Sequence, residues 1–348
     1  MCGKIQILII LKKLLYYITD HGLGHITRSV AVIRELQKIG IEVIIRNSNV
    51  NYLNNSLPET QIIPGITDVG PVIKENGISI NENKTLEQVG KWVKSLHSVS
   101  DNESRLISKI RPDLIVSDIS AMPFLAAHNT HVNSIAISNF SWTDVLDMLP
   151  KRQIAILRNA YELASLAIQL PLGTEMNVFK NKKPIGFVCK APTQRRKLIR
   201  QKLGLKESEK AIFINLGSHF VIKPTVMGNI KIFSTGAQIN SDDVQYLKPW
   251  VEGQNIIAAS DLVICKCGYG MISECLTNGT PFLYVSDDKH KEQKAISDGL
   301  INLGIKNRIT EDYLTEITLD VRHISTMSTR KEKNDTERAA RIITEFIK

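Results

Sequence analysis

Apolar and polar positions follow two alternating periods along this chain. Residues 14–19 (LLYYIT) form an apolar, aromatic run of strand length that ends in Asp20-His21-Gly22-Leu23-Gly24. Through residues 25–39, Ile26, Val30, Ile33 and Leu36 recur at helical spacing, and Gly40 closes the segment. Residues 41–46 (IEVIIR) read as a second strand. Strand, glycine turn, helix, short turn and strand make a βαβ unit, which requires a parallel sheet.

Residues 47–83 are polar and turn-rich, and are expected to be one long functional loop. A helix is predicted over 86–110 and strands over 113–116, 132–137 and 166–170. Gly173, Pro184, Gly186 and Pro192 then cluster as a linker. Beyond it the pattern predicts a helix over 194–203 and a strand over 211–216 ending at Gly217-Ser218. Shorter strands follow over 230–233 and 244–247. A strand from Asp261 to Cys265, a turn through Cys267-Gly268-Tyr269-Gly270 and a helix over 271–277 come next. A strand over 281–285, a helix over 289–303 and an amphipathic helix over 332–347 complete the chain. The predicted organisation is an N-terminal unit over 1–171, a linker over 172–194, a C-terminal unit over 195–330 and a terminal helix over 331–348. Both units are α/β.

Composition agrees with two domains. The 348 residues exceed what one core usually supports, and 43% hydrophobic with 23% charged residues is ordinary for a globular chain. No apolar run reaches the roughly 18 residues of a membrane span. The run over 5–11 is followed by Lys12-Lys13 without a small-residue cleavage site, so no signal peptide is expected. The five cysteines (Cys2, Cys189, Cys265, Cys267, Cys275) are scattered and odd in number, which fits a reduced, cytoplasmic setting. Cys265-x-Cys267 has no second pair at zinc spacing. It reads as small apolar residues at a strand end, with a metal site as the competing reading.

The net charge of +9 is concentrated: residues 182–210 hold ten basic side chains against Glu207 and Glu209. Such a segment suits a nucleic-acid patch, an anionic-membrane contact, or a solvated linker and helix. Phe187 alone interleaves it and no recognition motif is present, which argues against nucleic acid.

Three stretches carry candidate chemistry. In Asp20-His-Gly-Leu-Gly-His25-Ile-Thr-Arg28, glycines at a helix mouth let a ligand approach the helix N-terminus. It is not a dinucleotide fingerprint: His25 follows the G-x-G, and Arg46-Asn47 stands where an acidic residue belongs. A His in the first helical turn suits a general base, or is an ordinary capping histidine. Asp118, ending a later strand, either orients that imidazole or caps a loop. In Cys267-Gly-Tyr-Gly-Met-Ile-Ser-Glu274, glycines expose N–H groups to a phosphate and Glu274 lies one turn in, near enough for a ribose. A plain glycine turn with a solvent-facing Glu fits as well. In Ser286-Asp-Asp-Lys-His-Lys-Glu292-Gln293, a carboxylate beside an amide suits two sugar hydroxyls, although a charged helix start would look the same. Asp287-Asp288 lacks the further ligands of a metal site.

Together these stretches resemble the GT-B glycosyltransferases. The branch resembled is family 28, the lipid-linked muropeptide N-acetylglucosaminyltransferases, with the glycosyltransferase-like proteins related to plant arabinokinases. GLGHITR, Ser138-Asn-Phe-Ser-Trp142 and the order Asp261 to Glu274, Pro281, Glu292-Gln293 carry the resemblance. It implies two Rossmann-like domains with parallel sheets facing a central cleft, the first binding an acceptor and the second a nucleotide sugar. His25 would be the base and Asp118 its orienting aspartate. Gly217, Ser218, Gly268, Gly270 and Met271 would hold the diphosphate, Glu274 the ribose, and Glu292 and Gln293 the sugar. Gly22, Gly24, Arg28, Asn139 and Trp142 would form the acceptor side.

The implied function is metal-independent hexosyl-type transfer from a UDP-sugar, a substrate rather than a cofactor, to a glycan or lipid-linked hydroxyl. The basic segment 182–210 is then expected near the cleft mouth, drawing in an anionic donor or contacting anionic membrane at its inner face, with a plain solvated surface as the alternative. A non-catalytic binding module and a nucleotide-sugar epimerase are the alternatives. The oligomeric state is left open. The chain departs from the pattern in two places. Lys266-Cys267 precedes the glycine, and only about a dozen residues separate Gly217 from the strand at Ile230.

Overall fold

The structure, a computed structural model, describes residues 12–75, 77–241, 243–248 and 252–347. Cys2 and the apolar run over 5–11 lie outside the described residues.

The N-terminal unit runs β1 (Lys13–Ile18), α1 (Leu23–Lys38), β2 (Glu42–Arg46), α2 (Val50–Ser56), β3 (Gln61–Ile63), α3 (Glu82–Ile110) and β4 (Leu114–Asp118). It continues through α4 (Met122–Asn129), β5 (Ser134–Ser138), α5 (Trp142–Val145), α6 (Lys151–Tyr161), β6 (Leu166–Gln169) and β7 (Lys182–Pro184). Its seven strands form one parallel sheet in the order β3-β2-β1-β4-β5-β6-β7. Burial on both faces explains the near-continuous apolar strands. Leu14, Tyr16 and Ile18 of β1 enter one core cluster, and Leu15 and Tyr17 enter another beneath α3 and α4.

The C-terminal unit runs α7 (Arg196–Lys202), β8 (Lys210–Ile222), β9 (Thr225–Met227), β10 (Ile230–Ile239), β11 (Val244–Tyr246), α8 (Gly253–Ala259) and β12 (Leu262–Lys266). Then follow α9 (Tyr269–Asn278), β13 (Phe282–Val285), α10 (Lys291–Asn302), α11 (Glu311–Thr315), β14 (Thr318–Asp320) and α12 (Val321–Thr326); the terminal helix α13 (Thr336–Thr344) crosses back to pack on α1 of the first unit. Five strands pair in parallel in the order β11-β10-β8-β12-β13, and β14 pairs with β9. Both units therefore have the Rossmann-like architecture that the resemblance implies. Strand order reverses beside β1 in the first unit and beside β8 in the second. Ligands settle beyond the carboxyl ends of strands at such points.

Four expectations need correction. The stretch 47–83 is not one loop: Asn49 caps α2 through its side chain, and β3 adds an edge strand beside β2. Both elements are too short for periodicity to mark. The segment 172–194 is not a free linker, because β7 completes the first sheet by pairing with β6. The strand starting at Lys210 does not stop at Gly217. Pairing of β8 with β10 lapses after Leu216↔Gly236 and resumes at Val221↔Gln238, so residues 217–220 bulge out opposite Ala237. No helix intervenes between β8 and β10; extended β9 makes the return.

The fourth correction concerns charge. Arg196, Arg200 and Lys210 converge on Asp261 at 2.9, 3.0 and 3.7 Å. Asp261 lies just before β12 and Lys210 starts β8, so these cations sit at the amino end of the second sheet, opposite the cleft. Of the basic segment, Lys190 does line a cleft cavity.

Candidate active site in the interdomain cleft

Two glycine turns build the cleft. The turn after β1 carries Gly22 at φ 80° and opens α1; the turn after β12 opens α9. A Cβ on Gly270 would stand 3.3 Å from the Cα of Gly24 and 3.4 Å from its carbonyl oxygen, so the two turns touch through backbone. A cavity of about 470 Å³ lies beside this contact, and both helix N-termini open onto it. Their free N–H groups favour an anion.

Ten of the residues singled out in the sequence line this cavity: Gly22, Gly24, His25 and Arg28 from the first unit, and Gly217, Gly268, Gly270, Met271, Glu292 and Gln293 from the second. Glu274 lines an adjoining cavity of about 380 Å³ that shares Gly24, Gly270 and Met271 with the first. Ser218 lines neither. Asp118, Asn139 and Trp142 are buried behind the wall.

His25 Nδ1 lies 3.3 Å from Asp118 Oδ1, at ion-pair distance though not aligned as a hydrogen bond. The Asp118 carboxylate is shared. Arg28 donates to it from Nε at 2.7 Å and Nη2 at 2.5 Å, and Ser29 Oγ donates at 2.8 Å. Burial alone would raise the Asp118 pKa, but the Arg28 guanidinium outweighs it and holds the carboxyl at about 2. Arg28 also donates from Nη1 to Asn139 Oδ1 at 2.7 Å and lies 5.2 Å from the centre of the Tyr269 ring. Residues expected on the acceptor side thus form the support beneath the His25–Asp118 pair. Trp142 does similar work nearby, donating from Nε1 to Asp68 Oδ2 at 2.9 Å and standing edge-on to His21.

On the donor side, Lys266 ends β12 in the cavity wall, with its Nζ donating to the Gly77 carbonyl at 3.1 Å. Burial lowers its pKa. Glu274 is buried enough to raise its carboxyl to about 7, with Lys190 opposing and Glu252 adding to the shift. Glu252 pairs with Lys190 at 3.4 Å and with Arg34 of α1 at 2.8 Å, tying the units together at the cavity rim. Gln293 is engaged by backbone: its Oε1 accepts from Asp287 N and its Nε2 donates to the Ile78 carbonyl. Among the described residues no three His, Cys, Asp or Glu side chains converge as a metal site.

His21, Tyr269 and His290 also line the first cavity and Lys190 the second, beyond the residues expected from the sequence. The first three sit inside the motifs quoted above, so proximity in sequence was the available signal; Lys190 had none. Arg46, which stands in place of a dinucleotide-binding acid, is bound to Glu103 at 2.5 Å.

Two parallel units with facing switch points and a shared anion-binding cleft define a GT-B protein. Residues 12–176 match the profile of Glycosyl transferase family 1 and residues 203–346 that of the Glycosyltransferase family 28 C-terminal domain. The chain belongs to the GT-B glycosyltransferases, with a C-terminal half of the family 28 type. Its sequence is similar to L-arabinokinase of Arabidopsis thaliana, 26% identical over 296 residues. That match covers 80% of this chain but 28% of the relative, so the chain spans little more than a quarter of that protein. Among solved structures, the glycosyltransferase SnogD from Streptomyces nogalater superposes with a TM-score of 0.58 at 15% identity, covering 97% of this chain and 100% of that one. Arabidopsis thaliana UGT89C1 gives 0.59 at 12% identity, covering 95% and 92%. At these identities the superpositions speak for the fold. No helix among the described residues is long and apolar enough to cross a membrane.

Proposed function

We infer that the chain moves a sugar from a UDP-sugar to an acceptor hydroxyl on a glycan or a lipid-linked carrier, the latter met at an anionic membrane surface. The observation that carries this reading is the meeting of the α1 and α9 N-termini at one cavity, with Lys266 in its wall and His25 across from it. A nucleoside diphosphate leaving group gathers negative charge as its bond to the anomeric carbon breaks. Preorganised N–H groups and a half-buried ammonium are suited to receive it. Glu274 takes the ribose hydroxyls, and Glu292 and Gln293 face the sugar.

The acceptor oxygen attacks the anomeric carbon as the carbon–phosphate oxygen bond breaks, and the acceptor proton passes to His25. Asp118, at 3.3 Å, orients the ring and offsets the imidazolium charge. Solved GT-B relatives include UGT89C1 complexed with UDP and VinC in complex with DTDP, which supports a pyrimidine nucleotide donor.

A second reading, a non-catalytic binding module, draws on the direct β8-to-β10 return without a helix, and an epimerase of the same fold would bind the donor in a similar way. Thermal shift with UDP, GDP, dTDP and their sugars tests the donor site, since ligands that bind the native state raise the melting temperature. Turnover in wild type that is lost in His25→Ala, with UDP binding kept, supports transfer. Turnover that survives this substitution removes His25 as base, and no stabilisation by any nucleotide removes the donor site.

A further inference from the structure

His290 is the N-cap residue of α10, yet its side chain makes no capping hydrogen bond. It is 5% exposed, and its Nδ1 is buried without a hydrogen-bond partner. A buried polar atom left unpaired is uncommon and calls for a reason. It lines the same cavity as Lys266, Glu292 and Gln293, two and three residues before the groups assigned to the sugar in the reading above. Among the described residues this imidazole neither caps α10 nor joins a metal cluster, so its Nδ1 is left for a ligand.

The surroundings decide what it can recognise. Burial and the nearby Lys266 ammonium disfavour a charged imidazole, against the opposing carboxylates of Glu292 and Asp287, and the balance lowers its pKa. His21, across the cavity, is lowered to about 3 by burial and by His25, His290 and Lys266. A neutral imidazole carries one donor and one acceptor, which matches a hydroxyl. A phosphate is better served by Lys266 and the helix N-termini.

We propose that His290 is a specificity-determining residue whose imidazole hydrogen-bonds a hydroxyl of the donor's sugar and so sets which sugars the cleft accepts. This rests on the donor-site reading above. A site built to bind a hydroxyl discriminates strongly against sugars that place it elsewhere, because the imidazole is then left unpaired.

The test is calorimetric titration of the full chain and of His290→Ala and His290→Gln with UDP, UDP-glucose, UDP-N-acetylglucosamine and UDP-arabinose. The dTDP pair, with and without glucose, is run alongside. In His290→Ala the free nucleotide binds within about twofold of wild type, while the best UDP-sugar loses about tenfold and preference among sugars flattens. His290→Gln, which keeps a donor and an acceptor, restores part of the preference. If the ratio of sugar-nucleotide to nucleotide affinity is the same in all three proteins, His290 has no such role, although the donor site stands. If wild type binds none of the nucleotides, the donor-site reading fails and takes this inference with it.

Discussion

Gly270 of the second unit rests against Gly24 of the first, with room for a Cβ only 3.2 Å from Thr27 Oγ1 and 3.3 Å from Gly24 Cα. Its backbone is not in the left-handed region, so any effect of a side chain there is steric. Gly270→Ala should ease the units apart by a few tenths of an ångström and weaken UDP binding about tenfold, roughly 1.4 kcal/mol, with the melting temperature nearly unchanged. Gly22→Ala is the contrast. No atom lies within 4 Å of the added Cβ, but φ is 80°, so strain of about 1–2 kcal/mol should appear in stability. Calorimetry and thermal melts separate the two.

Arg28 and Asp118 form a buried pair whose members need each other. Arg28→Met leaves an uncompensated carboxylate and should cost about 3–5 kcal/mol, read by urea unfolding. The pH dependence has a definite sign. The folded Asp118 carboxyl sits near 2, below its ordinary 3.8. Its contribution is therefore whole above about 3.8 and is lost as pH falls toward 2. Wild type should keep this contribution at pH 5, and the variant should lack it.

Glu274 behaves oppositely. Burial raises its carboxyl from 4.5 to about 7, so the folded chain holds a proton that the unfolded chain releases between those values. Stability falls as pH rises through that window. Glu274→Gln should flatten this fall and gain on the order of 2 kcal/mol at pH 8, while weakening UDP binding through the lost ribose contact. Melting temperature against pH, with and without UDP, gives both readouts.

Asp261 gathers Arg196, Arg200 and Lys210 at the end of the sheet away from the cleft. Asp261→Asn should lower stability by about 2 kcal/mol and leave nucleotide affinity unchanged. A parallel loss of UDP binding would show that these cations act on the donor after all.

Much of this architecture is legible in the sequence because local pattern carries it. The run 14–19, the glycine turn and the helical spacing of Ile26, Val30, Ile33 and Leu36 are short-range features, and β1 and α1 follow them closely. The cavity-lining glycines were legible for the same reason. What stayed hidden depends on partners far along the chain. Arg28 meets Asp118 across 90 residues and Lys266 meets Gly77 across 189, separations at which one sequence carries no signal. The charge of 182–210 misled as a sum, because Asp261 neutralises part of it only once the chain is folded. Elements of three to seven residues such as β3, β7 and α2 are too brief for a period to emerge.

The chain passes between the units twice, and the two passages are stitched side by side. The Gly186 N–H donates to Asp335 Oδ2 at 2.8 Å, the Asp335 N–H to the Phe187 carbonyl at 2.7 Å, and the Cys189 N–H to Thr336 Oγ1 at 3.2 Å. Beyond the second passage, α13 lays Ala339, Ala340, Ile342 and Ile343 into the core shared with α1. A single tether would let one unit swivel, slide and tilt against the other. Two segments fastened side by side hold the units at neighbouring points, which restrains swivel, slide and tilt and keeps the His25 turn in register with the turn that opens α9.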